Sequence, residues 1–164
     1  MDGYDVFMAR CGKKYALVGT VEKDQPTSLT VKNLKVGKCY KAYVAPYVMK
    51  GSEKDYLGMS KKAHAFTNNG NHKKTNPAGI RVKEKRTVRV GKKKALNAKI
   101  LSMDKNKDLV NHVRMIRYFS SNPNVATVSR KGRVKGVGVG DCVIYVLANN
   151  GICKQVNITV KPAK

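Results

Sequence analysis

The 164-residue sequence contains no tryptophan and only three phenylalanines, so its eight tyrosines and its valines carry most of the large apolar surface. Carboxylates are scarce too, with ten Asp and Glu against 34 Lys and Arg. So few acids, so scattered, offer no paired-carboxylate site for general acid–base work. No run approaches the ~20 apolar residues of a membrane-spanning helix. None of the four cysteines (Cys11, Cys39, Cys142 and Cys153) forms a C-x-x-C pair, which disfavours a zinc knuckle. The opening Met1-Asp2-Gly3 lacks the basic-then-apolar pattern of a secretory signal, and the sequence closes on a linker-like Lys161-Pro162-Ala163-Lys164. If the protein is exported, the sequence is expected to be an internal piece of something longer.

Catalytic motifs are missing as well. There is no G-x-S-x-G elbow and no H-E-x-x-H pair. The glycines of Gly136-Val137-Gly138-Val139-Gly140 have G-x-G-x-G spacing, and a strand pattern follows them where a phosphate loop needs a helix. Gly91-Lys92-Lys93-Lys94 lacks the rest of a P-loop. His64, His72 and His112 fall in a strand, a linker and a loop edge without metal-ligand spacing. The expectation is therefore no enzyme, no cofactor, no metal and no small-molecule substrate.

What is present is alternation. Short runs with apolar residues at every second position recur between Gly, Asn, Pro and Asp turns. They predict strands over 4–9, 16–21, 28–31, 39–48 and 62–67, and then over 80–82, 87–90, 95–101, 113–119, 125–129, 132–137, 142–148 and 152–160. The polar stretch 102–111 is left open for a helical turn. Asn150-Gly151 marks a hairpin, because both residues tolerate positive φ. Residues 68–76 (NNGNHKKTN) have no apolar side chain, and Pro77 opens a new series. The pattern predicts an all-β protein with a module over 1–68, a linker over 69–77 and a second module over 78–164.

Charge divides unevenly between the halves. Residues 1–68 hold 12 basic and 6 acidic side chains, while residues 69–164 hold 22 and 4, out of a formal net charge of +24. Two basic clusters stand out in the second half. One is Arg81, Lys83, Lys85, Arg86, Arg89, Lys92, Lys93 and Lys94; the other is Arg130, Lys131, Arg133 and Lys135. Together they are a candidate patch for an anionic polymer such as teichoic acid, acidic glycan or nucleic acid. Separate solvated faces explain the same residues without a partner. By strand parity the exposed aromatics near them are few, Phe119 and Tyr145, which is thin for base stacking. Cys142 shares parity with Ile144 and Val146 and is expected inward, whereas Cys153 shares parity with Gln155 and Asn157 and is expected outward.

Two resemblances sharpen this. Tyr118, Ser120-Ser121-Asn122-Pro123, Val125-Ala126-Thr127-Val128, Gly132, Val134, Gly136, Gly140, Ile144 and the closing Val156, Ile158 and Val160 resemble a bacterial immunoglobulin-like domain of group 2, over roughly 78–160. This type repeats in intimin- and invasin-like adhesins; Tyr118 stands where the family often has Trp. The first half resembles a fibronectin type III domain. Asp2-Gly3-Tyr4-Asp5-Val6 is similar to its third strand, Leu34, Gly37 and Tyr40 to its Leu-x-x-Gly-x-x-Tyr corner, and Gly58, Ser60 and Thr67 to its last strand region.

The resemblances imply two immunoglobulin-like β-sandwich modules in tandem, the first lacking its two N-terminal strands and so exposing an apolar face. They imply Tyr40 bonding to backbone upstream, and Cys11–Cys39 as the pair that forms if any disulfide exists. They also imply a non-catalytic structural or adhesion segment of a cell-surface or secreted bacterial protein, acting as a spacer or binding scaffold. Two alternatives accompany that expectation. One is a carbohydrate- or wall-binding accessory of a secreted enzyme, with a host or cell-wall glycan or protein as partner; the other is a polyanion binder.

Overall fold

Strand follows strand throughout the computed structural model, which describes residues 1–68 and 72–164. No helix occurs among the described residues. The chain divides into two compact units, Met1–Lys73 and Lys74–Lys164.

Unit 1 is a single antiparallel sheet. Its strands are β1 (Gly3–Arg10), β2 (Ala16–Glu22), β3 (Cys39–Lys50), β4 (Glu53–Tyr56) and β5 (Ala63–Phe66). The order is β2-β1-β3-β4, with β5 also on β3. β4 was not expected. It arises because β3 runs on to Lys50 and turns back through Gly51, whose φ is 63°. The strand expected over 28–31 does not form; Ser28 and Leu29 instead line a cavity of about 360 Å³ with Tyr4, Val6, Val21 and Val44.

Unit 2 is a two-layer sandwich. Its strands are β6 (Lys74–Thr75), β7 (Pro77–Arg81), β8 (Lys85–Arg89), β9 (Lys93–Ala95), β10 (Lys99–Ser102), β11 (Asp108–Leu109), β12 (Ile116–Ser120), β13 (Ala126–Val128), β14 (Arg133–Gly136), β15 (Gly140–Ala148) and β16 (Cys153–Lys161). One sheet has the order β12-β15-β16-β8, with β16 and β8 parallel. Facing it are β13-β14-β9 and β7-β10. The inner positions of both layers meet in one core, among them Ile80, Val88, Leu96, Ala126, Val134, Ile144, Val146, Val156, Ile158 and Val160. Period-2 alternation puts these residues on the inner faces, and removing their apolar area from water is the main driving force for the fold.

Some strand expectations change here. The strand predicted over 95–101 is two strands, because Asn97 takes φ 53° and turns the chain between β9 and β10. The stretch 102–111 holds the last residue of β10, a turn closed by the Lys107 N–H on the Asp104 carbonyl at 3.2 Å, and β11. Of the linker expected over 69–77, residues 69–71 lie outside the described residues. Lys74–Thr75 pairs in parallel with β11 as β6, and Pro77 is buried at the start of β7. Tyr118 packs where the larger aromatic was expected. Its ring lies so close to Gly132, which has φ 71°, that a Cβ there would meet the ring at 2.7 Å.

Candidate functional site

The basic residues named in the sequence are spread over β7, β8, β9 and β14 and the turns beside them. Arg81, Lys83 and Lys85 are exposed, while Val82 packs on the core, as alternation requires. Arg89 donates from its guanidinium to the Pro162 carbonyl at 3.2 Å. Lys85 sits with Thr87, Asn157 and Thr159 on the outer β8–β16 face, while Arg86 pairs with Ile158, has the parity of Val88 and is half buried. Lys94 reaches from β9 to the Thr87 carbonyl at 3.3 Å. Lys92 lies in the turn before β9, and Arg130 and Lys131 lie in the turn between β13 and β14.

One part of the two clusters does converge. Pairing of β14 with β9 sets Lys135 opposite Lys93 and Arg133 opposite Ala95. Pairing of β13 with β14 sets Thr127 opposite Lys135. These side chains share the outer face of that sheet, around a shallow groove of about 250 Å³. Phe119 and Tyr145 pair across β12 and β15 on the other sheet, and both are exposed.

Unit 1 holds a cluster that the sequence did not announce. The β1–β3 register sets Phe7 opposite Tyr43, and their rings stack at 5.0 Å. Tyr15 meets Tyr43 edge-on at 4.8 Å, and Tyr56 meets Phe7 at 6.3 Å. The ammonium groups of Lys41 and Lys62 lie 4.4 and 5.5 Å from the centre of the Tyr15 ring. Beside them Asp5 is 1% exposed. It accepts from Thr20 Oγ1 at 2.6 Å, Lys54 Nζ at 2.7 Å and Tyr56 Oη at 2.6 Å. Burial pushes the Asp5 carboxyl up, but these three donors and the Lys54 charge outweigh it and hold the group below the usual carboxylate range. Tyr47, also 1% exposed, donates to Glu22 at 2.8 Å; burial, then that bond, push its hydroxyl up to about 12. The rings stack on one another or lie under lysines, so they form a half-exposed aromatic network, with Tyr56 exposed at its edge.

On the opposite side of this sheet Tyr4, Val6, Met8, Ala42, Val44 and Pro46 are only half buried. Tyr40 accepts from backbone upstream there: the Lys35 N–H donates to Tyr40 Oη at 3.0 Å. All four cysteines are free. Cys11 and Cys39 lie opposite each other beyond the β1–β3 ladder, with the Cys11 N–H donating to the Cys39 carbonyl at 2.8 Å. Burial pushes both thiols up. Cys142 is buried opposite Ile158, and Cys153 is exposed opposite Leu147, so the two are out of register. His64 Nδ1 is 3.7 Å from Cys11 Sγ; His72 stacks edge-on against Phe66; His112 offers its carbonyl to Asn149.

A filled two-layer sandwich whose early strand β8 runs parallel to its last strand β16 defines an immunoglobulin-like module. The family model for the bacterial Ig-like domain (group 2) matches residues 78–160, half of the chain, and the chain belongs to that family. No curated protein matches the chain. Among solved structures, the S-layer protein rSbsC(31-844) aligns with 97% of this chain at 13% identity and a TM-score of 0.35. The chain spans 37% of the length of that protein. A superposition at that score settles neither fold nor function.

Proposed function

We propose that the chain is a non-catalytic spacer and scaffold segment of a bacterial cell-surface or secreted protein, with unit 2 as its force-bearing immunoglobulin-like module. The observation that carries this is the parallel pairing of β8 with β16, from Lys85 opposite Asn157 to Arg89 opposite Lys161. Val90 extends it, donating to the Lys161 carbonyl at 3.0 Å. Tension along the chain through unit 2 passes β6 and β7 and then loads β8 at its first residue and β16 at its last. Because the two strands run the same way, that tension shears the whole ladder at once. A hairpin such as β15–β16, pulled at its open ends, parts one bond at a time. The family match over 78–160 and the filled core support the same reading.

Single-molecule pulling tests it. Force applied along the chain across unit 2 is expected to give a higher unfolding force than force applied across the β15–β16 hairpin. Equal forces for the two geometries would falsify the mechanical role.

Within this reading unit 1 is a fibronectin type III-like module with one sheet in place. The Tyr40 corner and its antiparallel order support that. Cys11–Cys39 is the pair that oxidation joins. Directly paired antiparallel residues lie about 4.5–5.5 Å apart, within the Cα range that a disulfide spans. Exchange with oxidised glutathione transfers two electrons from the two thiols and releases two reduced glutathiones. Thiol counting is then expected to fall from four to two, and four remaining thiols would overturn the pairing.

A further inference from the structure

The outer face of β13-β14-β9 holds three cations together without a counter-charge. Lys93 and Lys135 are direct cross-strand partners, and Arg133 lies two residues along β14 on the same side. Like charges directly opposite in a sheet repel and weaken it. Among the described residues no carboxylate lines the groove between them, and none of the three is in an ion pair. Hydroxyls complete the lining. Ser129 Oγ accepts from the Arg133 N–H at 3.1 Å, which leaves its own proton for another acceptor. Thr127 stands across from Lys135.

We propose that this face binds a polymer of closely spaced phosphates that carries no aromatic bases. The unbalanced charge selects a polyanion, and the close pairing selects its spacing. Facing side chains in a sheet have Cβ atoms about 4.5–5.5 Å apart, so the cations meet successive charges of a densely charged chain. A glycan with one acid per sugar presents its charges too sparsely to engage all three. Arg133 supplies a planar fork for phosphate oxygens, and the two lysines supply point charges. Single-stranded nucleic acid gains little, because no aromatic side chain lines the groove and single strands draw affinity from stacking. Releasing counterions from such a chain drives the association and makes it depend steeply on salt. The inference goes beyond the spacer reading, which needs no ligand.

The test titrates the full chain with inorganic polyphosphate over a series of salt concentrations. Binding is expected at low salt and is expected to weaken linearly on a log–log plot. Lys93→Glu reverses one charge of the groove, so affinity is expected to fall about tenfold or more and the salt slope to shrink by roughly one. The same substitution places opposite charges face to face with Lys135, so the unfolding midpoint is expected to hold or rise. That result separates lost binding from lost fold. Lys32→Glu makes an identical charge change in unit 1 and is expected to have a much smaller effect. Absence of polyphosphate binding at low salt overturns the proposal. So does an equal loss from Lys32→Glu, which would mean that only the summed field acts. Equally tight binding of a sulfated glycan or of single-stranded DNA overturns the choice of polymer.

Discussion

The two units hide opposite kinds of residue. Unit 2 buries aliphatic side chains between two layers; Ile144, Val146 and Val156 retain none of their exposure. Unit 1 has one layer. Its most buried face carries Asp5 and Tyr47 among aromatic rings and lysines, while its aliphatic face stays half open. Burial of apolar area explains unit 2 with little else. Unit 1 rests on directional contacts, namely charge-assisted hydrogen bonds, ring pairs and cation–π contacts. The first kind of stability is insensitive to pH, and the second depends on a carboxylate remaining ionised.

The largest effect is expected where the difference is widest. Ile144→Ala opens a cavity inside a closed core and is expected to cost about 2–5 kcal/mol. Val44→Ala trims a side chain that already borders the 360 Å³ cavity of unit 1 and is expected to cost under about 1 kcal/mol. Denaturant unfolding followed by segment-resolved hydrogen exchange reads each unit separately. Equal costs at the two sites would mean that the aliphatic face of unit 1 is covered in solution, and the contrast would break.

Asp5→Asn sharpens the comparison from the other side. It removes the charge that Lys54 faces and weakens two further bonds, for an expected cost of about 2–3 kcal/mol in unit 1. Its pH dependence is more diagnostic. The folded carboxyl titrates below its unfolded value, so its contribution is complete above the ordinary carboxylate pKa of about 4. That contribution is lost as pH falls through this value toward the lower folded one. Unit 1 of the natural sequence is therefore expected to loosen in acid before unit 2, and Asp5→Asn to flatten that dependence. Acid-induced exchange that begins in unit 2 would contradict it.

The contrast also marks what a sequence can show. Strands β15 and β16 were legible because parity alone sorts Cys142 inward and Cys153 outward, and their register sets them opposite Ile158 and Leu147. The break at Asn97 was hidden, because a single residue at positive φ leaves no trace in an alternating pattern. The cluster of Phe7, Tyr15, Tyr43 and Tyr56 was hidden for another reason. It depends on the register between β1 and β3, which are distant in sequence, and aromatic residues occur on both faces of β1. The cationic groove lies between these cases. Both basic runs were visible, but only the β9–β14 pairing shows that Lys93 meets Lys135.

The smallest expected effect tests how far unit 1 depends on single polar contacts. Tyr40→Phe keeps the ring on the half-open face and removes only the oxygen that accepts the Lys35 N–H. That N–H is exposed, so water replaces the lost acceptor and the expected cost is about 1 kcal/mol or less. Segment-resolved exchange should show faster exchange of the Lys35 amide with little change in β1 and β3. The reason is geometric: the ladder between β1 and β3 runs from Gly3–Tyr47 to Arg10–Tyr40 without the hydroxyl, so the sheet holds its register alone. If β1 and β3 lose protection as well, the corner supports the sheet, and the polar contacts of unit 1 act as one cooperative network.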